Sequence, residues 1–413
     1  MKNKLTLALG SVATLAGATS GVAQDSSPLF KVGSVDVRPH AAYSLMYDDN
    51  IFLEHKAKAA GRGNPGRDHD FVHIITPGLR LNAGDVGQRQ SAYFDANYQV
   101  AISRFMDNDG ANAYDQNASV ELGGKLNRFS LAAKQTLVQS SDANVANLAA
   151  NGRVRRKTWV TNIDTDYEIS DKTSASLDLA QTIGDYRGVA FSDSADRTAS
   201  LWFDYQFLPK VKAGVGGTVG YLQLDGNAAS HNPNSAYYQG KLRLDWQATE
   251  KINIAANGGY EFRNIQDASA NDPSMFVFGL NATWKAAERT SVQLGANRGR
   301  VASNALGGAL NTQTAFTANL RQGLAENLTL TLEGGYSIAE YETSAALLNT
   351  PAGIRAGIRD DRYYFVKPAL GYRFAERAQA SVFYQYRRNE STAVGNGNDF
   401  LNNQLGLEVS YRF

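Results

Sequence analysis

The chain has 413 residues, of which 43% are hydrophobic, and its mean hydropathy is −0.36. A formal net charge of +1 at pH 7 excludes the strongly basic surface that nucleic-acid binding needs, so no nucleic acid is expected as a partner. The chain has no cysteine, which excludes disulfides and is typical of a protein that crosses an oxidising compartment without them.

The N-terminal stretch has the organisation of a secretory signal peptide. Lys2 and Lys4 precede the apolar run LTLALGSVATLAGA, and the small residues GVA precede Gln24. This run is shorter than the roughly 20 apolar residues of a transmembrane helix. A charged start, an apolar run and small residues before a cleavage point are typical of a Sec export signal. Residues 1–23 are therefore predicted to be a signal peptide, and residues 24–34 a short periplasmic segment.

From Val35 to Phe413, apolar and polar residues alternate with a period of two, which is the pattern of a β-strand with two different faces. The alternating stretches are about twice as long as the 5–6 residues of an ordinary strand. Eighteen strands are predicted, at 35–47, 71–83, 89–103, 114–125, 128–139, 155–170, 173–187, 197–208, 211–224, 236–248, 251–264, 274–286, 289–300, 312–324, 327–341, 361–374, 377–389 and 399–413.

The links between the predicted strands alternate between short turns and long polar loops. Short turns follow every second strand, as at Asn127, at Pro209–Lys210 and at Ala375–Glu376. Longer loops, such as DGNAASHNPNS, follow the other strands. Short turns at one end and long loops at the other are typical of a transmembrane β-barrel. Because the number of strands is even, both termini are predicted at the short-turn end, which is periplasmic in such barrels.

A sheet in lipid must pair all its backbone groups internally, so strands cross a membrane only as a closed barrel. In the last strand Leu407 and Val409 share one face, which is predicted to meet lipid because a charge there costs roughly 2–4 kcal/mol. Tyr411 and Phe413 continue this face, and a terminal aromatic residue is typical of the insertion signal of bacterial outer-membrane proteins. The predicted fold is an all-β, antiparallel, up-and-down transmembrane barrel over residues 35–413. A soluble β-sandwich is the alternative.

The other face of each strand is predicted to line the lumen, and its charges are unevenly distributed. The predicted acidic lumen residues are Asp95, Asp164, Asp166, Glu168, Asp178 and Asp204. The predicted basic lumen residues are Lys241, Arg243, Arg263, Lys285, Arg321, Lys367, Arg373 and Arg387. This arrangement indicates either a transverse field that attracts anionic solutes or cross-strand ion pairs in a wet interior.

Aromatic residues fall on both predicted faces. Near the short turns they predict an interfacial girdle on the lipid side, formed by Tyr205, Phe207, Trp246, Trp284, Tyr372 and Phe374. Those predicted to face the lumen are Trp202, Tyr363, Phe365 and Phe383. The inward rings either stack on sugar rings or pack under a loop.

The longest loop, DDNIFLEHKAKAAGRGNPGRDHD, follows the first predicted strand. Asp48, Asp49, Asp68 and Asp70 could bind a hard cation such as calcium, but their spacing is not that of an EF-hand, so no metal or other cofactor is expected. The loop could instead fold into the pore as a constriction, or cap it. The scattered Ser, His and Asp residues form no catalytic motif, so no enzymatic activity is expected.

The stretch AAYSLMYDDNIFLEH, the strand ends GGY and GYRF and the single barrel body resemble the β-barrel porin type 2 family. The resemblance implies a Gram-negative outer-membrane protein associated with exopolysaccharide or capsule production. It predicts a channel for exopolysaccharide export or for hydrophilic and anionic solutes. The alternatives are a general or sugar-uptake porin and a surface-interaction barrel that conducts little. Expected partners are outer-membrane lipid, the barrel assembly machinery and, for export, a polysaccharide and a periplasmic partner.

Overall fold

The structure, a computed structural model, describes ten stretches of the chain. They are residues 30–54, 69–84, 92–143, 153–187, 191–225, 234–266, 274–302, 310–341, 359–392 and 399–413. The predicted signal peptide, residues 1–23, lies outside them. Among the described residues one short helical turn is present, at Asp109–Ala111. None of the helices described is long and apolar enough to cross a membrane.

Nineteen strands make up one sheet within the described residues. They are β1 (Phe30–Val32), β2 (Val35–Asp48), β3 (Asp70–Ala83), β4 (Tyr93–Phe105), β5 (Ala113–Leu126), β6 (Phe129–Ser140), β7 (Arg156–Glu168), β8 (Thr173–Tyr186), β9 (Asp193–Leu208), β10 (Val211–Asp225), β11 (Ser235–Trp246), β12 (Ile252–Ile265), β13 (Ser274–Ala287), β14 (Thr290–Ala302), β15 (Leu310–Gly323), β16 (Leu328–Tyr341), β17 (Arg359–Ala375), β18 (Ala378–Ser391) and β19 (Phe400–Arg412).

The sheet closes on itself to form a barrel. Each strand from β2 to β19 pairs antiparallel with its neighbours in the chain, and β19 pairs with β2 from Gln404↔Asp48 to Arg412↔His40. The short strand β1 lies outside this ring and forms a hairpin with β2. The predicted all-β, antiparallel, up-and-down barrel of 18 strands is therefore confirmed.

Strand boundaries differ from the predicted ones mainly at two places. β4 begins at Tyr93 and not at residue 89, and β9 begins at Asp193 and not at residue 197. The polar start of β9, DSAD, has the composition of a loop, but its residues pair with β10 through Leu222↔Asp196 and Asp225↔Asp193. Backbone pairing with a neighbour thus extends the strand beyond its apolar alternation.

The predicted short turns connect the strands at one end of the barrel. Strands β5 and β6 are joined by Asn127 and Arg128 alone, and Asn127 has a φ of 51°. Asparagine tolerates this left-handed conformation better than most residues, which explains its place in so tight a turn. The N-terminus of β2 and the C-terminus of β19 lie at this same short-turn end, because the ring contains an even number of strands.

The outer surface of the barrel is apolar. In β19 the side chains of Leu405, Leu407, Val409, Tyr411 and Phe413 are all exposed, as expected for a face that meets lipid. The aromatic residues predicted to form the girdle are also exposed, and they lie next to the short turns. Burying this surface in hydrocarbon instead of water stabilises the barrel in a membrane.

Candidate functional site: the barrel lumen

The residues predicted to line the lumen lie on the inner face of the wall. On β9, Leu201 and Phe203 are exposed on the outside of the barrel. The alternate residues Trp202 and Asp204 are buried on the inner face. The same alternation places the other predicted lumen residues opposite the exposed apolar side chains of their strands. Their placement follows from the strand pairing, and the functional role of each of them stays a prediction.

Several lumen charges of the first half of the barrel are ion-paired. Asp204 on β9 accepts two hydrogen bonds from Arg243 on β11, at 2.6 Å from Nε and 2.5 Å from Nη2. The Lys212 ammonium is 3.1 Å from the same carboxylate. The Arg243 guanidinium also lies over the Trp202 ring, 4.5 Å from its centroid. These contacts leave neither Asp204 nor the Trp202 ring face open to a solute.

Glycine residues of β10 make these contacts across a strand possible. A Cβ atom on Gly214 would lie 2.2 Å from Asp204 Oδ1, and one on Gly216 would lie 2.4 Å from the Trp202 ring. Because the inner face of β10 carries no side chains there, groups from β9 and β11 can meet above it.

A second buried network lies nearer the long-loop end. Glu261 is only 1% exposed and accepts hydrogen bonds from Arg263 Nε at 2.9 Å and from Gln239 Nε2 at 2.6 Å. The Arg263 guanidinium lies 4.3 Å from the centroid of the Tyr237 ring, whose hydroxyl donates to Asp196 Oδ1 at 2.8 Å. Arg263 is thus satisfied by the wall of the barrel and does not project as a free cation.

Arg300 was not predicted to face the lumen, yet it joins this network. Parity along β14 would place it on the lipid side with Leu294, but its Nη1 is 3.5 Å from Glu261 Oε1. Strand β14 stops pairing with β13 above Phe278↔Arg298, whereas it stays paired with β15 up to Ala302. The end of this hairpin therefore bends inward over the wall, and parity no longer predicts the face of residues beyond Arg298, the last residue of β14 that pairs with β13.

A group of basic side chains lies at the short-turn end of β12–β17. Lys285, Arg321 and Arg373, all predicted lumen residues, line a cavity of about 1040 Å³ together with Lys251 and Arg289. We call these five residues the basic sector. The carboxylates of Glu288 and Glu326 also line the cavity, but within the described part of the chain no carboxylate forms an ion pair with a basic-sector residue.

The basic sector faces an acidic wall across the barrel. Asp164 and Asp166 on β7 and Asp178 on β8 point inward near the same end, and Asp164 lies directly opposite Asp178 in the strand pairing. Glu168 accepts a hydrogen bond from Lys125 Nζ at 2.9 Å. Around the ring, β7 and β8 are separated from β12–β17 by at least four strand positions on either side. The lumen thus contains ion-paired charges and, in the basic sector, cations without an ion-paired carboxylate among the described residues, and the transverse field stays a prediction.

The remaining predicted lumen residues are mostly in contact with one another or with loops. Lys367 Nζ lies 4.8 Å from the centroid of the Phe383 ring, and Arg387 donates to Asn402 Oδ1 at 2.8 Å. Asp95 accepts a hydrogen bond from Arg80 at 2.8 Å. These three contacts between neighbouring side chains therefore hold part of the polar wall in place.

Phe365, one of the four predicted inward aromatic residues, lines a second cavity. This smaller cavity, of about 210 Å³, is also lined by the amides of Asn281, Gln293 and Asn319. Tyr363 is instead buried in an apolar cluster with Leu53. An aromatic face beside three amides can contact a hydroxylated solute, so the predicted stacking role remains open for Phe365.

The long-loop mouth of the barrel holds an inward-turned stretch of chain. Ile51 packs against Val72 and Phe105, whose side chains point into the lumen from β3 and β4. Leu53 packs against Tyr363 and Phe400 on β17 and β19. Residues 50–54, which follow β2, therefore lie inside the mouth and not above it.

The acidic residues of this region are occupied by N–H donors. The Asp70 carboxylate accepts hydrogen bonds from the backbone N–H groups of Met106, Asp107 and Asn108 at 2.9–3.2 Å. These bonds fix the turn that follows β4. Among the residues that the structure describes, no group of three or more His, Asp and Glu is arranged to hold a metal ion. Asp68 lies outside the described residues.

Arg153 adds a positive charge at this mouth. Its guanidinium lies 4.8 Å from the centroid of the Phe105 ring. Burial lowers the pKa of the Arg153 side chain, while the carboxylates of Asp142 and Asp115 oppose that change. The residue thus covers the apolar contacts of Phe105 from the loop side.

A closed ring of long antiparallel strands, apolar outside and charged inside, defines an outer-membrane β-barrel channel protein. Residues 30–413 match the model of the family described as Putative beta-barrel porin 2, and the chain belongs to that family. The family and the fold point to an outer-membrane channel of Gram-negative bacteria rather than to an enzyme.

Comparison with solved structures finds long alignments at low sequence identity. OpdK of Pseudomonas aeruginosa is 11% identical, with a TM-score of 0.45, and the match covers 92% of this chain and 98% of that chain. OpdO of the same organism is 12% identical, with a TM-score of 0.43 and coverage of 92% and 97%. OccAB4 of Acinetobacter baumannii is 14% identical, with a TM-score of 0.44 and coverage of 91% and 98%. Comparison with curated proteins finds no significant match.

Proposed function

We propose that this protein is a passive outer-membrane channel for small hydrophilic solutes, with a preference for anions. The observation that carries the proposal is the basic sector, in which five cationic side chains share one cavity without an ion-paired carboxylate among the described residues. Cations on a wetted wall raise the local concentration of anions and attract them from solution. The proposed orientation places this sector and both termini on the periplasmic side.

The mouth of the barrel favours small solutes over a polymer. Ile51 packs against β3 and β4, whereas Leu53 clusters with β17, β19 and the loop residue Ala143, and these inward contacts reduce the opening at the long-loop end. Exopolysaccharide export, suggested by the family resemblance, is therefore the second candidate. It would require the polysaccharide and a periplasmic partner, and a wider passage than these contacts leave.

The proposed mechanism is diffusion along a charged wall. A solute moves down its concentration gradient through the wet interior, and no covalent step is involved. The basic sector binds an anion weakly and releases it, because its side chains lie in a wide cavity where water screens their charges. A cavity lined by Phe365 and three amides lies above the sector and offers contacts to uncharged parts of a solute.

Reversal of three charges tests the anion preference. We expect the variant K285E/R321E/R373E to lose anion selectivity, measured as the reversal potential across a planar bilayer under a salt gradient. A unit charge about 6 Å from a passing ion contributes about 0.7 kcal/mol in water, or roughly a threefold change in local concentration. Three reversals should therefore lower the ratio of anion to cation permeability by at least about tenfold.

A matched control carries the same charge change outside the cavity. Arg128, Lys172 and Lys210 are exposed in short turns at the same end of the barrel, between β5 and β10 and outside the cavity. The variant R128E/K172E/K210E should keep most of the anion selectivity. Equal effects of the two triple variants, or no effect of the first, would refute the proposed role of the basic sector.

A further inference from the structure

We propose that residues Asn50–Glu54, here called the mouth segment, form the size-limiting constriction of the channel. Asp48 and Asp49 are then positioning residues that hold this constriction in place. The inference deepens the proposed channel function and rests on it. It assigns a role to the YDDNIFLE stretch at the end of β2, part of which lies in the loop that follows it.

Two adjacent carboxylates fasten the start of the mouth segment to β19. Asp48 accepts hydrogen bonds from Asn402 Nδ2 at 2.5 Å and from Gln404 Nε2 at 2.6 Å. Asp49 accepts bonds from the backbone N and from Nδ2 of Asn403, both at 2.6 Å. Hydrogen bonds to a charged acceptor are stronger than neutral ones. Because these bonds reach the last strand of the barrel, they fix the segment at the seam where the ring closes.

The mouth segment has a defined conformation of its own. Asn50 Nδ2 donates to the carbonyl of Glu54 at 2.8 Å, and Asn50 Oδ1 accepts from the N–H of Glu54 at 3.0 Å. The same Nδ2 donates to the carbonyl of Leu401 at 3.1 Å. Leu53 has a φ of 54°, which a leucine adopts only where its surroundings require it. The segment is therefore a built turn and not an extended loop.

Its apolar side chains connect distant parts of the wall. One cluster joins Leu53 with Tyr363 on β17, Phe400 on β19 and Ala143 just after β6. Seven steps around the ring separate β17 from β6, and with about 4.8 Å between strands this is roughly 34 Å along the wall. The cluster spans this distance because the mouth segment after β2 and the loop residue Ala143 after β6 both extend inward from the wall.

The opposite edge of the mouth segment packs against another part of the wall. Ile51 contacts Val72 on β3 and Phe105 on β4, and both of these side chains are buried on the lumen side. Ile51 and Leu53 are each 3% exposed. Ile51 and Leu53 thus fill part of the lumen with apolar side chains, which offer no hydrogen bonds to a passing solute. An element of this kind selects by size.

Removing both carboxylates tests this role. We expect the variant D48A/D49A to release the mouth segment and to raise the single-channel conductance in planar bilayers at least twofold. It should also admit larger uncharged saccharides in a liposome-swelling assay. The control variant D107A/D109A loses two exposed acidic residues on the neighbouring turn of the same mouth, and its conductance should stay at the reference value.

A second variant covers the case in which D48A/D49A fails to assemble. I51G/L53G keeps both carboxylates but removes the apolar side chains, and glycine accepts the positive φ of residue 53 without strain. It should raise conductance as well. If the reference protein forms channels and both variants have the same single-channel conductance as the reference, the inference is wrong and the channel function stands. If the reference chain and all variants conduct nothing, the channel function is wrong and the inference falls with it.

Discussion

Replacing Leu294 by arginine is expected to destabilise the barrel in a membrane by roughly 2–4 kcal/mol, the range for a cationic residue on the lipid face near mid-depth. Leu294 is half exposed on the outside of β14, where its neighbours across the strands are Ala282 and Ala318. No carboxylate lies beside it on these neighbouring positions to pair with the new charge. The free energy of unfolding by urea, measured on barrels refolded into lipid vesicles, gives this value.

The adjacent residue provides the control. Gln293 is exposed on the inner face of the same strand and lines the smaller cavity. Arginine is similar to glutamine in length and would extend into water there, so Q293R should change the free energy of unfolding by only about 0.5 kcal/mol. A comparable loss of stability in Q293R and L294R would show that the two faces of β14 do not differ as lipid and water do.

Truncation of Glu261 to alanine is expected to have the largest effect of any lumen substitution. It would leave Arg263 and Arg300 without the carboxylate that lies between them, at 2.9 Å and 3.5 Å from their nearest nitrogen atoms. Removing one partner of a buried ion pair costs about 3–5 kcal/mol, because an uncompensated charge stays buried. The same urea titration in lipid vesicles measures this loss.

The control for this experiment is a lumen ion pair that is exposed to water instead of buried. Asp95 also faces the lumen and pairs with Arg80 at 2.8 Å, but the Arg80 side chain is 47% exposed. D95A should therefore cost about 1 kcal/mol or less. In the triple variant E261L/R263M/R300L the charges are replaced together, and much of the lost stability should return. Equal losses in E261A and D95A would contradict a dry network at Glu261.

Strand positions and faces could be predicted because the residues of each strand alternate between the lipid-facing and the lumen-facing side. Along β19 every second residue meets lipid, and this requirement acts on Leu405, Leu407 and Val409 alike. The alternation no longer predicts which face a residue occupies where a strand has lost its pairing with one of its two neighbours. Arg300 lies beyond the last residue of β14 that pairs with β13, so the parity that holds at Leu294 no longer applies to it.

Contacts inside the lumen could not be derived from parity alone. Alternation places Asp204 and Arg243 on the inner face, but it does not state that they meet across β10. Glycines at 214 and 216 were the available signal, since a strand without side chains lets its neighbours approach each other. Lys251 and Arg289 are the first residues of the predicted strands 251–264 and 289–300, so the alternation alone could have placed both on the lumen side.

The mouth segment was visible in the sequence but could not be interpreted there. Adjacent acidic residues such as Asp48 and Asp49 are typical of a solvated loop or a cation site. Two apolar residues, Ile51 and Leu53, are not enough to predict a buried element. Their function depends on Asn402 and on other partners more than 350 positions later in the chain. Only closure of the ring brings these residues together.

Cysteine labelling along β16 tests the central claim, a closed barrel with lipid outside and water inside. The chain has no cysteine of its own, so each introduced thiol reports one position. With a charged, water-soluble thiol reagent on both sides of the membrane, T331C and E333C should be labelled, and L330C and L332C should be protected. Equal labelling at all four positions, or protection of the odd-numbered pair, would contradict the barrel.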